Sequence, residues 1–172
     1  MRSLFLNILL LLLPTALFAQ SDNLMAAARA GDVTAIRQHL QKNADVNAAD
    51  ARGFTPLILA VYGGHQEATT ILLEAGANVN QQDASGNTAL MGTAFKGYTD
   101  LAALLIRNGA NVNLQSGNGG TALMFASMFG RNELLALLLK NGADKTMKDE
   151  RGLTALDLAT QQGNTAGIAL LK

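Results

Sequence analysis

A short group of residues occurs four times along this chain at a constant spacing of 33 residues. Its first copy is Gly53-Phe54-Thr55-Pro56-Leu57, and the later copies begin at Gly86, Gly119 and Gly152. No insertion interrupts the series. A fixed period of this length indicates a repeat protein, in which each unit packs against its neighbours and cannot bury an apolar face alone.

Two further positions of the repeat hold the same residue type in every copy. One is a glycine, at Gly64, Gly97, Gly130 and Gly163, and the other is a leucine, at Leu72, Leu105, Leu138 and Leu171. An earlier, weaker copy is visible in Leu24, Ala27, Gly31 and Leu40. The sequence therefore predicts five units, which cover about residues 22–49, 50–82, 83–115, 116–148 and 149–172.

Each unit contains the residues of a turn followed by two antiparallel helices. The segment Asp50-Ala51-Arg52-Gly53 is typical of a type I turn, with Asp first and Gly fourth. Thr55 can then cap a helix whose first residue, Pro56, needs no amide partner. Apolar residues at helical spacing follow until Gly64, and Gly76 is expected as the C-cap of the second helix.

These motifs closely resemble the ankyrin repeat, whose hallmarks are the Thr-Pro-Leu turn, a mid-repeat glycine and a closing Gly-Ala-Asn-Val-Asn. The closing segment occurs here at residues 76–80 and 109–113. The resemblance covers about residues 22–172 and implies an all-α ankyrin-repeat solenoid of about five 33-residue helix-turn-helix units with β-turn loops. In this chain the family's histidine after Thr-Pro-Leu is replaced by Ile58, Met91, Met124 and Asp157.

The first 19 residues have the order of a secretory signal peptide, with Arg2, then an apolar run over residues 4–13, then Ala19 as a cleavage position. The segment from Leu4 to Ala19 has 16 residues, fewer than the roughly 20 that a spanning helix needs. We therefore expect the chain to resemble small exported bacterial ankyrin-repeat proteins and to have a mature domain over residues 20–172. The expected location is periplasmic or secreted, and the alternative is a membrane anchor formed by an uncleaved leader.

Composition excludes several kinds of function. The chain has no cysteine, so disulfides, thiolate metal sites and thiol nucleophiles are absent. Of the 13 basic residues Arg2 lies in the leader, which leaves 12 basic against 13 acidic residues and a net charge of −1. A nucleic-acid partner is not expected, because binding a phosphate backbone requires a basic surface. Membrane insertion after signal removal is not expected either.

Titratable side chains do not converge in the way that an active site requires. The only two histidines, His39 and His65, are assigned structural roles. Local hydrogen bonding explains the carboxylates at turns and helix starts, which are Asp32, Asp50, Asp83, Asp100 and Asp149. No glycine-rich phosphate loop with a following lysine occurs. We therefore expect no catalysis, no cofactor and no metal site.

One pattern exceeds the needs of folding. In ankyrin repeats the turn tips and the exposed side of the first helices line a concave groove, where binding usually occurs. One column of this groove carries Tyr62, Phe95 and Met128, which we expect to form an exposed apolar stripe. The predicted partner-binding set is completed by residues beside the stripe and at the turn tips: Lys96, Phe129, Arg52, Phe54, Asn87, Asn118 and Arg151. The alternative is that these side chains merely pack over neighbouring helices.

The sequence thus favours a monomeric, non-catalytic scaffold that docks a partner protein into the groove, as an accessory factor for another exported protein. A second binding role is an inhibitor or immunity protein that occludes an enzyme or toxin. The remaining alternatives are a self-assembling structural protein and a hydrolase with an unrecognised site.

Overall fold

The computed structural model describes residues 23–172, which form a regular stack of five helix pairs. The first helices of the pairs are α1 (Leu24–Ala30), α3 (Pro56–Tyr62), α5 (Ala89–Lys96), α7 (Ala122–Met128) and α9 (Ala155–Gln161). The second helices are α2 (Val33–Gln41), α4 (Gln66–Glu74), α6 (Thr99–Arg107), α8 (Asn132–Lys140) and α10 (Thr165–Leu171). The predicted all-α repeat solenoid is confirmed. The predicted signal peptide, residues 1–19, lies outside the described residues.

Three of the four predicted turns are braced by the side chain of the aspartate at their first position. In the turn 50–53 the Gly53 N–H donates to the Asp50 carbonyl at 2.8 Å, and the Asp50 carboxylate accepts the N–H groups of Arg52 and Phe54. Gly53 has a φ of +77°, and a Cβ there would lie 2.6 Å from the backbone nitrogen of Ala84. Glycine is therefore required at this position both by its backbone conformation and by the close approach of the next turn.

Threonine caps the first helix of four repeats, as predicted. The Thr55 hydroxyl accepts the Ile58 N–H at 3.2 Å, and Pro56 lies in the first turn of α3. The corresponding residue in the last repeat, Thr154, forms a reciprocal cap, because the Asp157 carboxylate accepts the Thr154 N–H at 2.8 Å. Where the family commonly has histidine, the last repeat thus has a helix-capping aspartate. The predicted C-cap of α4 is corrected by one position: the C-cap is Ala75, and Gly76 follows it with a φ of +88°.

The apolar core runs without interruption through the stack. The three leucines that follow the capping threonines in the second, third and fourth repeats are at most 2% exposed: Leu57, Leu90 and Leu123. Their counterpart in the last repeat, Leu156, is half-buried. In the second helices Leu72, Leu105 and Leu138 are fully buried. First helices pack against first helices and second helices against second helices, so every central repeat has both of its flat sides covered.

Asparagine side chains in the segments that follow the second helices join consecutive repeats. The Asn80 side-chain nitrogen donates to the Gly109 carbonyl at 3.1 Å, and its oxygen accepts the Asn111 N–H at 2.8 Å. Asn47 and Asn113 make the same two contacts with the repeats that follow them. Lys145 occupies the position of Val79 and Val112, and its ammonium donates to the carbonyls of Leu171 and Lys172 at the end of α10.

Acid is expected to destabilise the fold through its hydrogen-bonded aspartates. The Leu153 N–H lowers the pKa of Asp149, and the Thr154 hydroxyl and N–H lower the pKa of Asp157. A carboxyl with a lowered folded-state pKa stabilises the protein above its ordinary pKa, and that contribution is lost as the pH falls through the folded-state value. We expect the urea concentration at the unfolding midpoint to decrease as the pH is lowered from about 5 to about 2.

The variant Asp157→Asn provides the control for this acid dependence, because its amide cannot titrate in that range. It should be less stable than the parent at pH 7 and similarly stable near the acid end of the titration. A constant difference between the two proteins across the whole range would contradict the assignment to Asp157.

Candidate functional site

Four aromatic side chains form two pairs on the groove face, by which we mean the turn tips together with the exposed side of the first helices. The rings of Phe54 and Tyr62 have centroids 6.1 Å apart and planes inclined by 60°. The rings of Phe95 and Phe129 have centroids 4.9 Å apart and meet edge to face, at 87°. Predicted site residues are therefore brought together in two clusters, of which the second joins the third and fourth repeats.

The Phe54–Tyr62 pair is largely part of the packing. Tyr62 is half-buried, and a Cβ added to Gly92 would lie 3.3 Å from its ring carbon Cε2. The ring thus occupies space that a larger residue at position 92 would fill. Burial raises the pKa of the Tyr62 phenol, and the negative charge of Asp83 adds to that effect. The prediction that Tyr62 is largely exposed is wrong, since glycine on the next helix allows its ring to fold inward.

The Phe95–Phe129 pair is accessible to solvent. Phe95 is 48% exposed, whereas Phe129 is half-buried beneath the edge contact. The Lys96 ammonium lies 5.8 Å from the centroid of the Phe95 ring, and the Arg131 guanidinium donates to the Phe95 carbonyl at 3.4 Å. This cluster combines a large apolar surface with two cationic groups at its edge.

Met128 does not extend this exposed surface. The sequence predicts that Met128 stands beside Tyr62 and Phe95 in one stripe, but its side chain is half-buried. Of the three stripe residues only Phe95 is largely exposed, so the predicted stripe is corrected to a single exposed ring supported by Phe129. Leu170, on α10 and 42% exposed, is the other large apolar residue with comparable exposure among residues 23–172.

Polar residues at the turn tips mostly stabilise their own turns. The Asn87 amide donates to both oxygens of the Asp83 carboxylate, at 3.2 and 3.3 Å. Arg151 forms an ion pair with Asp149 at 2.8 Å. The Arg52 guanidinium instead lies 4.7 Å from the centroid of the Phe54 ring and is exposed. Of these three predicted residues, Arg52 is therefore the one whose side chain forms no hydrogen bond or ion pair within its turn.

Asn118 supplies the hydrogen-bond acceptor that aspartate provides in the other turns. The other three turns begin with aspartate, whereas this one begins with Ser116. The Asn118 side-chain oxygen accepts the Ser116 hydroxyl at 2.7 Å and the Gly120 N–H at 3.2 Å. The second contact corresponds to the one that Asp50 makes with Phe54. Sequence reasoning missed this role, although the coincidence of Ser at the first position with Asn at the third was visible.

A row of side chains after the mid-repeat glycines links adjacent repeats, which the sequence analysis did not foresee. The His65 Nε2–H donates to the Arg29 carbonyl at 3.1 Å, because a carbonyl can only accept. Tyr98 approaches Gly64, and Arg131 approaches Gly97, closely enough that a Cβ on either glycine would lie 3.1 Å from them. The structural role assigned to His65 agrees with these contacts. The large residues that follow three of the mid-repeat glycines, His65, Tyr98 and Arg131, could have revealed the row.

Three buried hydroxyl groups inside helices are hydrogen-bonded to carbonyls three or four residues earlier in the chain. The hydroxyls of Thr69, Thr93 and Ser127 donate to backbone carbonyls at 2.7–2.9 Å. Within residues 23–172 no three potential metal ligands of the His, Cys, Asp or Glu types form a cluster. In the same part of the chain no helix has both the length and the apolar character to cross a membrane.

Comparison with known proteins identifies the repeats. A family model described as ankyrin repeats (3 copies) matches residues 24–116 and, in a second alignment, residues 90–172. No curated protein matches the chain. The two family matches together cover all ten helices of the stack.

Proposed function

Because the chain belongs to the ankyrin-repeat family, whose members are generally protein-interaction modules, we propose that it is a non-catalytic, monomeric scaffold that binds a partner protein on its groove face. The observation that carries the proposal is the exposure of Phe95 over Phe129 in a protein whose other large apolar residues are mostly buried. Exposed aromatic rings on a rigid support are typical anchors in protein interfaces.

The surface of Phe95 is large enough to matter for binding. Burying an aromatic side chain covers about 150–250 Å². Because 48% of Phe95 is still exposed, a partner could bury roughly 70–120 Å² of it, for about 2–3 kcal/mol gross at about 25 cal/mol/Å². The edge contact with Phe129 holds the ring in place, which reduces the entropy lost on binding.

Affinity capture with two matched variants tests the proposal. Proteins captured from an extract by the parent chain should bind Phe95→Ala about tenfold or more weakly, since a loss of about 1.4 kcal/mol is tenfold. Leu170→Ala removes an apolar residue of similar exposure on α10, away from the groove face, and should bind normally. If both substitutions weaken binding of the captured proteins equally, or if Phe95→Ala does not weaken it, the binding surface lies elsewhere.

We propose that the protein works outside the cytoplasm, in the periplasm of a Gram-negative bacterium or as a secreted protein. The support is the order of charge, apolar run and small residue in the leader. Within that location we favour an accessory role for another exported protein, and an inhibitor or immunity role is the alternative. A toxin or lytic enzyme encoded beside this gene would favour inhibition, whereas an exported redox or stress enzyme would favour the accessory role.

Export is expected to remove the leader. The intact mass of the protein recovered from its source cell should correspond to a chain that begins at or near Gln20. Leu10→Arg, which interrupts the apolar run, should leave full-length protein in the cytoplasm as the control. Full-length parent protein in the membrane fraction would show that the leader remains as an anchor.

A further inference from the structure

Positive side chains point outward from the groove face without ionic partners. Arg29, Arg52 and Lys96 are exposed, one in each of the first three repeats. Among residues 23–172 the only ion pair joins Arg151 to Asp149, so none of these three cations is paired within the described structure. Arg52 lies over Phe54, and Lys96 lies beside Phe95. Each aromatic pair therefore has an unpaired cation at its edge.

Carboxylates on the same face are instead occupied by their own turns. Asp50 and Asp83 are half-buried, and each accepts two backbone N–H groups of its turn at 2.8–2.9 Å. Glu150 is the exposed carboxylate at the tips, and it lies in the last repeat, away from both aromatic pairs. Glu133 lines the same cleft as Lys96 but forms no ion pair with it. At the first two turn tips an incoming segment thus meets outward cations and turn-bound carboxylates, and Glu133 is the exposed carboxylate in the cleft beside Lys96.

We propose that the partner segment seated on the groove face is acidic, with carboxylates beside the apolar residue that contacts Phe95. This inference rests on the proposed function and specifies the chemistry of the partner. A carboxylate next to that apolar residue would meet the Lys96 ammonium, and one further along the segment would meet the Arg29 guanidinium. Complementary charge of this kind speeds encounter and selects against basic partners.

The repeat geometry sets the spacing of these carboxylates. Arg29 and Lys96 both lie in the last turn of a first helix and are two repeats apart. Neighbouring packed helices lie about 8–10 Å apart, so the two cations are separated by roughly 16–20 Å along the stack. An extended chain advances about 3.3 Å per residue. The acidic residues of the partner are therefore expected about five or six positions apart.

Selection from a phage-displayed library of random dodecapeptides against the immobilised full chain tests this inference. The enriched peptides should carry an apolar or aromatic residue next to Asp or Glu, with a second acidic residue about five or six positions away. Synthetic versions should bind Lys96→Glu and Arg29→Glu at least tenfold more weakly than the parent. Lys140→Glu, an equal charge change on the exposed end of α8, should leave affinity unchanged.

The outcomes separate this inference from the proposed function. Peptides that lose affinity with Phe95→Ala but not with Lys96→Glu would leave the groove as the binding site and overturn the acidic partner. Equal loss with Lys140→Glu would reduce the effect to net charge and overturn it as well. If no peptide is sensitive to Phe95→Ala, both proposals fail. Pelleting of the chain with phosphatidylglycerol vesicles in place of peptide enrichment would make an anionic membrane the occupant and overturn the inference.

Discussion

Deletion of residues 148–172 is expected to cause partial unfolding or aggregation of the remaining chain. The deleted segment contains α9 and α10, which pack on α7 and α8. Their removal is expected to uncover Met124, which is 2% exposed in the intact stack, whereas the equivalent residue of the last repeat, Asp157, is exposed. Each large apolar residue that returns to water costs about 1.5–3 kcal/mol, and a few of them approach the roughly 5–15 kcal/mol that stabilises a typical domain.

Urea unfolding and size-exclusion chromatography of the deleted chain measure this effect. The control combines the deletion with Met124→Asp and Ser127→Thr. These changes install on the fourth repeat the exposed residues that the last repeat carries at the same positions, Asp157 and Thr160. This control should be more soluble than the simple deletion. A deleted chain as soluble and as cooperative in urea as the parent would show that the last unit does not cover the core.

Truncation of a core leucine should destabilise the protein far more than truncation of the exposed phenylalanine in the same helix. Leu90 is 2% exposed between neighbouring repeats, and Leu90→Ala should lower the free energy of unfolding by about 2–5 kcal/mol. Phe95 lies on α5 as well but is 48% exposed. Phe95→Ala should therefore change the free energy of unfolding by less than about 1 kcal/mol.

Chemical denaturation of the two variants under identical conditions measures this difference. If Phe95→Ala destabilises the protein as strongly as Leu90→Ala, the Phe95–Phe129 pair is a packing element and the proposed function loses its support. Tyr62→Ala is unsuitable for the same comparison, because removal of its ring would leave a void above Gly92. We expect Tyr62→Ala to destabilise the protein more than Phe95→Ala.

Local features of the repeats were predictable from the sequence. The turn at residues 50–53 and the helix cap at Thr55 depend on partners within four positions along the chain. Asp–Gly turns and threonine caps satisfy nearby backbone groups wherever they occur, so their residue types indicate the local structure. The period of 33 residues then requires the units to stack, which determines the all-α solenoid and the burial of Leu57 and its equivalents.

Exposure on the groove face was decided only by tertiary structure. Tyr62 and Phe95 occupy equivalent positions, so the repeat pattern treats them alike. The ring of Tyr62 folds over Gly92 of the next repeat, whereas the position equivalent to Gly92 in the repeat after Phe95 is Phe125. A phenylalanine cannot offer the opening that a glycine leaves, and the ring of Phe95 stays exposed in edge contact with Phe129. The space available to the ring of Tyr62 depends on Gly92, which is 30 positions away in the chain. A comparison of equivalent positions in successive repeats does not reveal that space.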